Sequence, residues 1–221
     1  MRFHIADPNP DESLSGIMPL STRARSWLAR VSYDIPEDES IQTVGAVTML
    51  EGLDYHYSRF MDLVTSLGPY YSRFLGGAAG DSLDQPREFE RRLFPTATET
   101  EDLNALDHEA VAYLNRLGQF HTYAKARGLA ARLVKVHELM VFRNKHTAHR
   151  SIDAPRDESQ QDREHQAMTF GFYRLTRSGF PTYHIVSRRK HREFQMRRDH
   201  PMIMKEAIDA LFTLYPPPNG G

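Results

Sequence analysis

Residues Arg143-Asn144-Lys145-His146-Thr147-Ala148-His149-Arg150 bring cationic and titratable groups together within eight positions, at the end of the most strongly helical stretch of the chain. Arginine presents a rigid fork of donors to a phosphate or its transition state. Asparagine can orient a neighbour by hydrogen bonding, and histidine moves protons near neutral pH. These are the parts that phosphodiester chemistry requires.

A helix must carry that cluster. After Gly128, the residues Leu129, Leu133, Val136 and Met140 recur at helical spacing, and Arg143 and Thr147 extend the same stripe. Arg143 is therefore expected on the packing face, where an arginine is costly unless it is paired or the face opens into a cleft or a subunit interface. Before it, Leu103, Leu106, Ala110, Tyr113, Leu114, Leu117, His121 and Ala124 predict a helix over 103–127, with Gly128 as its stop signal. His121 on that stripe reads as a hydrogen-bonded core residue that could pair with the following helix. Further upstream, Ala46, Leu50, Leu53, Tyr57, Met61 and Val64 predict a helix over 41–67, ended by Gly68-Pro69. Residues 1–40 read as a partly ordered arm with a short helical piece around Trp27-Leu28. Tyr70 and Tyr71 read as core.

Downstream, 151–166 is polar and reads as a loop. Met168, Phe170 and Phe172 then alternate with Thr169, Gly171 and Tyr173, and, after a turn at Ser178-Gly179, Tyr183, Ile185 and Ser187 alternate with His184 and Val186, which predicts a β-hairpin around 168–188. Asp199 and Pro201 open a final helix with Ile203, Ala207, Ile208, Leu211 and Leu214 on its apolar face, and 216–221 reads as a flexible tail. The expected fold is mainly α: one helical domain over 41–215 with an added hairpin.

The 221 residues are 40% hydrophobic and 26% charged, enough for one globular domain with a real core. There is no cysteine, which excludes disulfides and thiolate metal sites. The opening residues do not have the pattern of a signal peptide and no apolar run is long enough for a membrane span, so a cytoplasmic protein without a membrane partner is expected. The net charge of -1 conceals a division along the chain. Residues 1–110 carry 9 Lys+Arg against 19 Asp+Glu, and 111–221 carry 19 against 10. A basic second half favours a polyanionic partner or the docking of an acidic front on a basic back. Its densest positive run is 187–198. There Arg188, Arg189, Lys190 and Arg192 could hold RNA phosphates, as could Lys145 and Arg150 in the first cluster, and Phe194 could stack on a base. The same run also suits a solvated hairpin end.

The cluster resembles the signature of the HEPN superfamily, small helical-bundle proteins that include many ribonucleases of toxin, phage-defence and RNA-surveillance systems. That signature is an arginine, often followed by asparagine, with a histidine four to six intervening residues later near a helix end. Arg143-Asn144-x4-His149 matches it with five residues between Arg143 and His149. The resemblance implies a HEPN-like helical bundle acting as a homodimer, whose two motif helices face each other across one cleft. It implies RNA cleavage without metal or cofactor, by attack of the ribose 2′-hydroxyl on the adjacent phosphorus. His149 would be the acid or base, Arg143 would stabilise the phosphorane, and Asn144 would orient either partner. On an ideal helix six residues advance about 9 Å and turn about 120°, so Arg143 and His149 of one chain do not share a face. His146, between the two, is the second candidate for the proton-transfer role. Families regulated by modification of a tyrosine two places after the histidine depart from this chain, which has Ser151 there.

Three other readings use the same residues. Cations and asparagine at a helix C-terminus complement its dipole without any further role, each charge contributing about 0.3–1 kcal/mol. A non-catalytic HEPN scaffold would dimerise, or dock an antitoxin, another regulatory protein or a nucleic acid. A zinc site would join His146 and His149 to His137, His165 or His200, although Lys145 and the two arginines would repel a cation there.

Overall fold

The computed structural model describes residues 19–78, 94–147, 183–186 and 191–216. Among them the chain is mainly helical, with helices α1 (Thr22–Val31), α2 (Glu37–Ser66), α3 (Gly68–Ala78), α4 (Ala97–Ala126), α5 (Val134–Thr147) and α6 (Met196–Leu214). Strands β1 (Tyr183–Val186) and β2 (His191–Phe194) pair antiparallel, in the register Tyr183 to Phe194 and Val186 to His191. The described hairpin therefore uses the expected strand at Tyr183 but pairs it with the basic run that follows. Residues 168–173, expected as the other strand, lie outside the described part, as do the whole expected loop over 151–166 and residues 217–221 of the tail.

The helix ends follow local chemistry. Pro36 is extended, and Glu37, Asp38 and Glu39 fill the first turn of α2, where negative charge meets the positive end of the dipole. α2 thus starts four residues before the helix expected over 41–67. α4 begins at a capping box in which the Glu99 N–H donates to Thr96 Oγ1 (3.2 Å) and the Thr96 N–H donates to Glu99 Oε2 (2.8 Å). It ends at Gly128, whose φ of 73° lies in the left-handed region. From that turn Gly128 N donates to Lys125 O and Leu129 N to Ala124 O, which satisfies carbonyls the helix leaves open. α6 starts at Met196, three residues before Asp199. That carboxylate accepts the Gln195 N–H from inside the first turn (2.9 Å), and Pro201 sits within the helix at an exposed position.

The two thirty-residue helices are antiparallel: Arg127 reaches Gln42, Gly52 faces Arg116, His56 meets Glu109, and Ser66 meets Asp102. α6 also runs against α2, since Asp54 bonds His200 while Glu39 bonds Tyr215. Leu50, Leu53, Leu106, Leu114, Leu117, Leu139, Ile203 and Leu211 fill the core between α2, α4, α5 and α6. The helical piece expected within an arm is α1, and it belongs to this core. Trp27 is fully buried, donates Nε1–H to Tyr215 O at 2.9 Å and packs on Phe212 with ring centroids 5.6 Å apart. Removing a ring so placed costs about 3–5 kcal/mol, more than a loosely attached arm could contribute. Tyr70 and Tyr71 are buried as expected.

One polar chain crosses the core. His200, 1% exposed, has Nε2 2.9 Å from Asp54 Oδ1 and Nδ1 3.0 Å from the Tyr113 hydroxyl, and Tyr57 stacks on its ring at 4.0 Å. Asp54 Oδ2 accepts the Ser21 N–H. A neutral imidazole satisfies every group: Nε2–H donates to the carboxylate, and Nδ1 accepts from the tyrosine hydroxyl. Burial holds His200 below its ordinary pKa against the opposing pull of Asp54. Burial would raise Asp54, but hydrogen bonds from His200 and Ser21 outweigh it and hold the carboxyl low. Burial drives Tyr113 well above the ordinary phenol range.

Both His200 and Asp54 bind protons less readily folded than unfolded, so their contribution is present at neutral pH and is lost as pH falls. His200 acts first, from about 6.5 downward, and Asp54 follows in the carboxylate range below about 4. The melting temperature of the protein is expected to fall as pH drops from about 7 to about 5. Tyr113→Phe, which leaves Nδ1 without its donor, is expected to cost about 1–2 kcal/mol in denaturant titrations. A wild-type profile flat over that range would contradict a neutral His200.

Candidate functional site

α5 carries the cluster, and its beginning has no capping residue of its own. Leu133 and Val134 offer no side-chain acceptor, and Ala130–Arg132 forms a 3-10 turn just before them. Glu206, from α6, serves instead. Its carboxylate accepts Lys135 N at 3.0 and 2.8 Å and Val136 N at 3.3 Å, so a negative charge covers the open donors at the positive end of α5. Lys135 Nζ lies 3.3 Å from Asp199 Oδ1 and ties the same turn to the start of α6. Asp199 is fully buried and also accepts Arg198 Nε at 2.9 Å and Nη2 at 3.1 Å.

Further along α5, Leu133, Val136, Leu139, Met140 and Phe142 are buried. Phe142 packs on Phe194 of β2 at 5.9 Å; Phe194 in turn packs on Tyr113 and Tyr183. The hairpin is thus anchored beside the residue that precedes Arg143. Phe194, a base-stacking candidate by sequence, is 0% exposed within this aromatic cluster and has no face for a base. The reason is register: Phe194 lies opposite the buried Tyr183 at the inner end of the hairpin.

Arg143 is half-buried, in line with its place on the apolar stripe. Its stem crosses α4 at Gly118, where a Cβ would stand 3.0 Å from Arg143 Nε, 3.3 Å from Cδ and 3.5 Å from Cγ. Gly118 is buried, and so is the Nε atom. Asn144, Lys145 and His146 occupy the last turns of α5, whose helix ends at Thr147. The side chains of those three residues lie outside the described part, as do His149, Arg150, Arg188, Arg189 and Lys190. Arg192 sits in β2 opposite Ile185.

One turn from Gly118 on α4, His121 faces His137 of α5 with ring centroids 5.6 Å apart. The pairing of His121 with the following helix is as read from sequence, but its Nε2 is buried without a hydrogen bond. Burial, then His137 and Lys125, lower its pKa. Among the described residues no group of three or more His, Cys, Asp or Glu could hold a metal, and both nitrogens of His200 are engaged by Asp54 and Tyr113. No described helix is long and apolar enough to cross a membrane.

The sequence reading overlooked Gly118 and Glu206. Gly118 does leave a signal: a glycine inside a thirty-residue helix is less favourable than alanine by about 1 kcal/mol, so a packing reason is to be sought. Glu206 leaves none, because its partners are about seventy residues away. Comparisons with protein-family models, with curated proteins and with solved structures return no match.

Glu206→Ala is expected to destabilise the protein by about 1–2 kcal/mol, the range measured for loss of a helix cap. Glu206→Gln, which keeps an acceptor without the charge, is expected to lose less. Chemical denaturation of the two variants checks the order, and equal losses would remove the dipole from the explanation.

Proposed function

We propose that this chain is a HEPN-type endoribonuclease, metal-independent and homodimeric, serving as a toxin or phage-defence effector. The observation that carries the reading is Arg143, a half-buried cation near the end of α5, on the packing stripe and laid across a glycine of α4. A residue that only complements the helix dipole would be better placed on the exposed side. The helical architecture and the spacing Arg143-Asn144-x4-His149 support the same reading, as does a second half with 19 basic against 10 acidic side chains.

In this reading two copies bring their α5 ends together, so that one cleft receives cations and histidines from both. A histidine, His149 or in its place His146, takes the proton of the ribose 2′-hydroxyl. That oxygen bonds to the adjacent phosphorus, the bond from phosphorus to the 5′-oxygen breaks, and the leaving oxygen receives a proton. The products are a 2′,3′-cyclic phosphate and a 5′-hydroxyl. Arg143 stabilises the charge that accumulates on the phosphorane oxygens, and Asn144 orients it. Lys145, Arg150 and the hairpin residues Arg188, Arg189, Lys190 and Arg192 hold neighbouring phosphates, which makes binding weaken as salt rises. An antitoxin or other regulatory protein would cover the same cleft.

Purified protein is expected to cut single-stranded RNA in the presence of chelator and to leave a 2′-deoxy substrate intact. Arg143→Ala is expected to lower kcat by about 10²- to 10³-fold. His149→Ala is expected to lower it by about 10²- to 10⁴-fold. RNA left uncut by the wild type, or variants as active as the wild type, would overturn the reading.

A further inference from the structure

We infer that Gly118 is a positioning residue: it forms a socket on α4 that seats the stem of Arg143 and so directs its guanidinium. The inference rests on the ribonuclease reading for its functional consequence, while the socket itself can be tested without activity.

Three successive atoms of the Arg143 side chain, Cγ, Cδ and Nε, lie within 3.0 to 3.5 Å of the place where a Cβ at position 118 would stand. Real Cβ atoms tolerate such closeness only if the neighbour gives way. Here the neighbour is held, because Nε is shielded from solvent and Arg143 follows Phe142, a buried residue of α5 that packs on Phe194 of β2. The guanidinium carbon follows Nε in the side chain, so the contact fixes the point from which the guanidinium extends and leaves rotation about the Cδ–Nε bond as its remaining freedom. A methyl group at 118 would push the stem off α4 and displace the guanidinium with it. In catalysis a displacement of about 1 Å can cost about 10²-fold.

A second crossing in the same molecule provides the contrast. Gly52 of α2 faces Arg116 of α4, where a Cβ would stand 3.3 Å from Nε and 3.4 Å from Cδ. Arg116 is exposed and donates to Gln119 on its own helix, so it can shift into solvent. An arginine over a glycine is therefore a socket only where the arginine is pinned, and among these two crossings that is the one at Gly118.

The test is a cycle of four proteins: wild type, Gly118→Ala, Arg143→Ala and the double variant, with Gly52→Ala as control. Thermal melting is read on all, and cleavage of single-stranded RNA in chelator on those that keep Arg143. With Arg143 removed, Gly118→Ala is expected to raise the melting temperature, since alanine suits a helix interior better than glycine. With Arg143 present, that gain is expected to vanish or reverse. Gly118→Ala is expected to lower kcat by about 10²-fold with little change in KM, while Gly52→Ala keeps wild-type cleavage. Failure of Gly118→Ala to fold while the double variant folds would show the same coupling more strongly. Equal melting increments in both backgrounds, or misfolding of the double variant as well, would overturn the socket. If the wild type cuts no RNA, the ribonuclease reading fails and the melting cycle still decides the socket.

Discussion

A buried imidazole with a carboxylate on one nitrogen and a phenol on the other leaves no donor or acceptor of the three groups idle in its neutral form, and the register of this bundle depends on that arrangement. Asp54, Tyr113 and His200 come from α2, α4 and α6, and Ser21 completes the carboxylate from the residue before α1. Leucine and valine contacts tolerate sliding and rotation, because burial is not directional. A chain of three hydrogen bonds does not tolerate them. Displacing one helix by a turn, about 5.4 Å, would leave a buried carboxylate or imidazole without a partner, and each such loss costs about 1–3 kcal/mol or more. The apolar core makes the bundle stable, while the polar chain selects one alignment of it.

That alignment reaches the candidate site through α4. Tyr113 and Gly118 are five residues apart, which on an ideal helix places them about 140° from each other. Turning Tyr113 toward His200 therefore turns Gly118 toward α5. α5 is itself held from outside: Glu206 and Asp199 of α6 grip its first turn, and Phe194 of the hairpin holds Phe142 near its last. A fourteen-residue helix with no cap of its own is marginal in isolation. Its position, and with it the position of Arg143, comes from tertiary contacts rather than from local preference. The hairpin is thus part of what holds the end of α5, in addition to any part its basic residues have in binding.

Much of this was legible in the amino-acid order, and the division follows physical range. The long helices and the stop at Gly128 rest on interactions within about four residues, so spacing and glycine chemistry reveal them. The place of Arg143 on the apolar stripe follows from the same periodicity. Trp27 was harder to place, because a short helix in a polar, proline-containing region resembles an arm until Phe212 and Tyr215, nearly two hundred residues later, are seen to enclose it. β2 was hidden by its charges: His191-Arg192-Glu193 reads as a solvated surface, and only pairing with Tyr183–Val186 makes it a strand and turns Phe194 inward. The division of charge along the chain proved a weak guide to docking. Among the described residues, the ion pair of Arg127 with Glu39 and the hydrogen bond from neutral His200 to Asp54 cross between the halves, while the pairs Arg25 with Glu51, Arg73 with Glu99 and Lys205 with Asp209 stay within one.

The pairing of Arg143 with Gly118 bears on why a cation lies on a packing face at all. Leucine or methionine at 143 with alanine at 118 would fill the same crossing, avoid the desolvation of a guanidinium and improve the propensity of α4 by about 1 kcal/mol. The chain has instead two residues that are each less favourable for stability, and they fit each other: the missing Cβ is the space the arginine stem occupies. A helix dipole alone does not call for a cation at 143, since Lys145, in the last turn of the same helix, already supplies a positive residue there. Departures from the most stable choice that compensate one another are expected where a group is held for use, because a functional side chain must be both accessible enough to act and confined enough to aim. The crossing at Gly118 confines Arg143 along its stem, from Cγ to Nε.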